Sequence, residues 1–359
     1  MENRIASLDI IRGIAAFSVF FSHLGNPISE NYFSSKIIDA IFYFHNHFLW
    51  ANGGLHWAVV VFVVLSGFCI HLPAARKNSD KISFLKFILR RFLRIYPVYI
   101  AAFMLGIVVH YDSTVNSSVY FENFILNVFL VSGILPVSGP FGNPILLTVI
   151  VEMILYILYP IMLDFARSNW TRFFFILLLL HFLNFSLLFK FELDPTWVQR
   201  NLFSFLIYWW IGVFFCEIKF NGKYQFINFR KWYFPILLYL SYLLFCHTFI
   251  FTGSHVFKSL FLAMFTGYLL LYMTDRSHKN SFNIKFFPSI FIYLGLFSYS
   301  LYVFHSPILK IINEIATGHA FSDTLVFYLL NIFVVGVICS FLFFIIEKKF
   351  HKYSRMLKF

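Results

Sequence analysis

Long apolar runs, each closed by a short polar or basic stretch, recur along the whole chain. They lie near residues 8–25, 56–72, 87–109, 145–166, 171–189, 201–218, 232–251, 257–273, 288–312 and 323–346. Each approaches the roughly 20 residues that a helix needs to cross a bilayer. Most are apolar all round rather than along one stripe, which predicts buried or lipid-facing helices, not amphipathic surface ones. The pattern therefore predicts ten membrane-spanning helices in an all-α polytopic protein. A further apolar piece, "FILNVFLVSGILPV" at 124–137, is shorter and ends in Gly, Pro and Ser, so it reads either as a short span or as a re-entrant segment.

Loop charge decides between ten and eleven crossings. With ten spans and the N-terminus in the cytoplasm, 22 of the 28 Lys and Arg fall in or beside inward-facing segments and five face outward, leaving Arg12 inside the first helix. Such a bias is the positive-inside rule followed along the whole chain. An eleventh span would reverse every later loop, so 124–137 is expected not to cross. Both termini are then cytoplasmic, with a basic tail over 347–359.

Composition agrees: 60% of residues are hydrophobic and 12% charged, too little polar surface for a water-soluble chain of 359 residues. The formal charge of +12 is spread over one membrane face and needs no nucleic-acid partner. The first helix has no small-residue cleavage site after it and reads as a retained span. Neither an internal repeat nor an appended soluble domain is evident, so residues 1–359 read as one membrane domain. The four cysteines have no paired spacing. "HNH" at His45 to His47 reads as outer-loop polarity, and no metal site is expected.

Polar residues inside apolar helices are costly and mark function. "LDIIRGIAAFSVFFSH" at 8–23 carries three of them. At 1.5 Å per residue, Arg12 lies roughly 10 Å and His23 roughly 25 Å from the cytoplasmic end. Eleven residues is close to three turns, so the two share a face, and Asp9 is placed to pair with Arg12 as a structural partner. The same depth count sends Ser66 and Gly67 of "FVVLSGFCI" and Arg91 and Arg94 of "FLKFILRRFLRIYPVY" to the inner half. It sends Glu152 of "LLTVIVEMILYILYP" and His305 of "LGLFSYSLYVFHSP" to the outer half with His23. Arginines at an inner mouth suit phosphates, because the guanidinium fork offers fixed donors and stays charged. A histidine near a buried carboxylate suits general-base work. Arg91 and Arg94 fit an interfacial positive belt as well, and Glu152 and His305 fit helix-packing hydrogen bonds.

These segments resemble the acyltransferase 3 family of bacterial integral membrane acyltransferases. "LDIIRGIAAFSVFFSH" is similar to the family's opening helix, "FVVLSGF" to its second-helix serine-glycine, and "RRFLRIYP" to its RxxR followed by proline. "VEMILYILYP" resembles the segment usually written SVEEQFYLLYP, while "SYSLYVFHSP" and "FIIEKKFHK" resemble the late SYSLYLWHWP and IEKPF stretches, so the likeness runs from residue 7 to about 352. Departures are Met153 for the second Glu of the usual pair, Leu147 and Thr148 for its Trp-Ser, and Lys349 for the late proline.

The resemblance implies a ten-span core and O-acetylation of a surface carbohydrate such as a lipopolysaccharide or exopolysaccharide. Acetyl-CoA would be the donor, with no permanently bound cofactor, in the bacterial cytoplasmic membrane. It implies that His23 carries out acyl transfer with Arg12 as its partner, and that Arg91 and Arg94 bind the acyl-CoA. Depth adds Ser66 to the donor-binding set, and Glu152 and His305 to the catalytic one. A polytopic transporter or lipid-linked-glycan carrier would use the same buried charges as a substrate path, but related halves are not seen. An acyltransferase with a non-carbohydrate acceptor is the other alternative.

Overall fold

The computed structural model describes residues 5–24, 55–77, 83–135, 139–191, 200–220, 233–247, 254–274, 289–316 and 325–357, and among these it is helical without strands. The long helices are α1 (Ala6–His23), α2 (Trp57–Lys77), α3 (Phe84–Val109), α5 (Leu146–Ser168), α6 (Trp170–Phe191), α7 (Leu202–Phe220), α8 (Tyr233–His247) and α9 (Ser254–Thr274). The rest are α4 (Ser117–Val128), α10 (Ser289–Leu296), α11 (Ser298–Ala316), α12 (Leu325–Leu342) and α13 (Lys348–Met356), with a π-helical turn over Phe343–Glu347. The His45 to His47 stretch lies outside the described residues.

Among the described residues seven helices are long and apolar enough to cross a membrane: α2, α3, α5, α6, α7, α9 and the continuous run from Val326 to Met356. An eighth is obtained if α10 and α11, bent by 77° at Phe297, count as one broken span. The expected count of ten also includes α1 and α8. Neither passes that test: Asp9, Arg12 and His23 interrupt α1, and the described part of α8 has only 15 residues. The segment around 124–137 forms the 12-residue α4 and a 3₁₀ turn at Val131–Gly133, too short to span. Buried Asn123 and Asn127 hold it in place. Asn123 Nδ2 donates to Gly139 O and its Oδ1 accepts from Phe141 N, while Asn127 Oδ1 accepts from Ser132 Oγ at 2.7 Å.

Most helices pack through apolar side chains, but α2 and α7 touch backbone to backbone. A Cβ at Gly67 would meet the Trp209 carbonyl, and one at Gly212 the Val64 carbonyl. Small residues allow this approach, as is usual between membrane helices. Similarly, Gly13 of α1 faces the Phe291 carbonyl of α10, and Gly295 faces Asp9 O. These crossings bring α1, α2, α3, α5, α7 and α11 around one interior, where Tyr99, Tyr159, Trp209 and Trp210 are fully buried.

Candidate functional site

A cavity of about 240 Å³ opens between α1, α2, α3, α5 and α11. Arg12, Arg91 and Arg94 converge on it from α1 and α3, and Glu152 and Glu347 face them from α5 and the π turn. Arg12 is held from two sides: Nη1 lies 3.5 Å from Asp9 Oδ1, and Nη2 donates to Cys69 Sγ at 3.1 Å. Arg91 lies over the rings of Phe87 and Tyr156, at 5.8 and 5.9 Å, in cation–π geometry. Counting Asp9 beside Arg12, three guanidinium groups and three carboxylates gather in one interior, the kind of charge balance that a hydrocarbon surrounding favours.

Glu152 is anchored in the cavity by two hydroxyls. Ser66 Oγ donates to its Oε1 at 2.5 Å and the Tyr156 hydroxyl donates to the same oxygen, while Trp209 Nε1 donates to Ser66 Oγ at 3.3 Å. Ser66 thus holds Glu152 in place within the arginine-lined cavity. Depth arithmetic had set Glu152 beside the histidines; the structure puts it with the arginines. The physical reason is the start of α5. Asn143, Ile145 and Leu146 are already buried against neighbouring helices, so the start of α5 is set by packing and a count from the end of the apolar run does not fix where Glu152 faces.

The histidines form a second cluster. The rings of His23 and His305 lie 5.1 Å apart, with Phe20 against His305 at 5.9 Å. His23 Nδ1 is 2.7 Å from Val19 O and His305 Nδ1 2.9 Å from Leu301 O. A carbonyl only accepts, so both Nδ1 atoms carry the proton and both Nε2 atoms present a lone pair in the neutral rings. Buried His305 Nε2 has no hydrogen-bond partner among the described residues.

Tyr302 joins the two clusters. It lines the cavity, and its ring lies 6.5 Å from His305. Thr148 Oγ1 donates to Ile145 O, so the Tyr302 hydroxyl donates to Thr148 Oγ1 at 2.7 Å. Thr148 is one of the departures from the family pattern noted above, and here it anchors that tyrosine.

Sequence reasoning missed Tyr156, Tyr302 and Glu347 as site residues. Tyr156 had a legible signal, four residues after Glu152 on the same helix face. Glu347 had none. It turns inward at a π turn, whose extra residue rotates the helix face, and its Oε2 accepts from Ser300 N at 3.1 Å and Ser300 Oγ at 2.6 Å. A third polar group also went unread. His71 Nδ1 meets the Tyr159 hydroxyl at 2.8 Å and Nε2 meets Glu217 Oε2 at 2.7 Å, away from the cavity lining. Among the described residues, no group of three or more His, Cys, Asp and Glu is placed to hold a metal ion.

In comparison with protein families, the chain matches a family model described as an acyltransferase domain over residues 5–345. No curated protein and no solved structure matches the chain.

Proposed function

Because the chain belongs to the acyltransferase 3 family of acyltransferase domains, nearly from end to end, we propose that this membrane protein is an O-acetyltransferase. In this reading, cytoplasmic acetyl-CoA donates to a sugar hydroxyl of a cell-envelope polysaccharide in the bacterial cytoplasmic membrane. Ten spans place both termini on the cytoplasmic side. The observation that carries the reading is the convergence of Arg12, Arg91 and Arg94 on an interior cavity within reach, through Tyr302, of the His23–His305 pair. A polyanionic donor with a long neutral arm matches that layout. The cavity, about 240 Å³, is smaller than pockets for whole drug-sized ligands. The nucleotide therefore stays at the cytoplasmic mouth and the thioester arm enters.

In the transfer step, His23 Nε2 takes the proton of the acceptor hydroxyl as its oxygen attacks the thioester carbonyl. The new C–O bond forms, the C–S bond breaks, and the leaving coenzyme A thiolate takes the proton back from the His23 imidazolium. Glu152, fixed by Ser66 and Tyr156, holds the guanidinium groups in register for the donor. His305, its own Nδ1 fixed on Leu301 O, flanks the His23 ring and orients it.

Two measurements test this. Arg91→Lys and Arg94→Lys keep the charge and lose the fork, so each weakens acetyl-CoA binding by about tenfold, roughly 1.4 kcal/mol, in calorimetry on purified protein. Parental affinity in both variants removes the donor assignment. Cysteine labelling tests orientation. In a background with the native cysteines replaced, Lys77→Cys and Tyr353→Cys react from the cytoplasmic side and Thr114→Cys from the outside. Labelling of the first two from opposite sides refutes the ten-span arrangement.

A further inference from the structure

The run from Val326 to Met356 is one continuous helical stretch of 31 residues. At 1.5 Å per residue it is about 46 Å long, against a hydrocarbon core of about 30 Å, so its last turns stand at headgroup depth. Those turns are α13, "KKFHKYSRM", which contains no acid. One face rests on the start of α3. Ser354 is buried, Phe350 and His351 are half-buried, and Arg90 Nη2 donates to Leu357 O at 2.9 Å. The other face exposes Lys348, Lys349, Lys352 and Arg355, with Tyr353 and Met356 among them. Exposed Arg90 extends the patch, and α3 adds no acid to offset it.

Directly before Lys348 stands Glu347, the last residue of the π turn and a wall of the arginine cavity. No flexible linker separates the surface from the site.

We infer that the outward face of α13, with Arg90, binds the headgroups of anionic phospholipids, and that this contact holds the π turn in the register that presents Glu347 to the cavity. Four cations at headgroup depth, with no exposed acid on α13 or α3 among the described residues, fit phosphate-bearing, net-negative lipids. Exposed Tyr353 adds the amphipathic aromatic ring typical of a membrane–water interface. A shift of α13 along its axis is transmitted to Glu347 because the two share one unbroken backbone. The lipid-binding half stands independently of the acyltransferase reading; the coupling half rests on the cavity being the donor site.

The test compares the parent with K348Q/K349Q/K352Q/R355Q and with a K190Q/K310Q control, reconstituted in nanodiscs of phosphatidylglycerol or phosphatidylcholine. Native mass spectrometry counts the retained lipid. The parent should prefer phosphatidylglycerol, and the quadruple variant should lose that preference by about tenfold while the control keeps it. Equal preference in parent and quadruple variant overturns the site. For coupling, two readouts are taken in both lipids: acetyl-CoA affinity, and the rate of maleimide attack at Cys69, which lines the same cavity. Both should change about threefold or more between lipids in the parent and not in the quadruple variant. A lipid preference with neither readout responding overturns the coupling. A responding Cys69 in a protein that binds no acetyl-CoA leaves this inference standing and removes the donor reading.

Discussion

His23→Ala is expected to cut acetyl transfer by about 100-fold or more while the protein remains inserted and folded. His23 sits in the last turn of α1, and its Nδ1–H is committed to Val19 O, which fixes the tautomer and leaves the lone pair on Nε2, the atom proposed as the base. Removing the ring takes away the base without opening the core, because the residue is exposed. The 5.1 Å neighbour His305 is fully buried, so His305→Ala affects orientation and packing together and gives a smaller loss of turnover. The measurement is transfer of labelled acetyl to surface glycan in cells, with expression followed by fluorescence-detected size exclusion. A His23→Ala enzyme with near-parental transfer ends the general-base assignment.

The second large effect concerns folding. Gly67→Ala is expected to destabilise the protein by about 3 kcal/mol or more, seen as loss of monodisperse protein and a lower melting temperature. A Cβ there overlaps the Trp209 carbonyl, and the reciprocal contact of Gly212 with the Val64 carbonyl means that both partners are backbone, with no rotamer to yield. Separating α2 from α7 also stretches the Trp209 Nε1 to Ser66 bond and so loosens Glu152. Gly336→Ala is the control, since a Cβ at Gly336 meets nothing within 4 Å, and it should behave like the parent. Equal stability of the Gly67 and Gly336 variants would show that the helices separate at little cost.

Much of this architecture is legible in the linear pattern because the bilayer is a simple solvent. A run near 20 residues without charge has one stable conformation there, since every backbone group must be satisfied within the segment. Costly residues such as Arg12, Arg91, Arg94 and His23 stand out against it for the same reason. The broken α10–α11 pair and the inward start of α5 are not legible. Each depends on where neighbouring backbone allows a helix to begin or bend, as Gly295 against Asp9 O illustrates.

The sequence by itself determined that the chain is a helical membrane protein and that its buried charges cluster on few helices. Hydrophobic length and charge cost act residue by residue and need no partner to be read. Depth along the helices already groups His23 with His305 and Arg12 with Arg91 and Arg94, but only the tertiary structure decided where the acids go. Glu152 joins the arginines through Ser66 and Tyr156, and Glu347 enters the same cavity through a π turn, whereas His23 pairs with His305 beyond Tyr302. Depth along a helix axis fixes one coordinate of a side chain. Rotation about that axis, tilt and the burial of a helix start fix the others, and those are set by packing between helices distant in sequence.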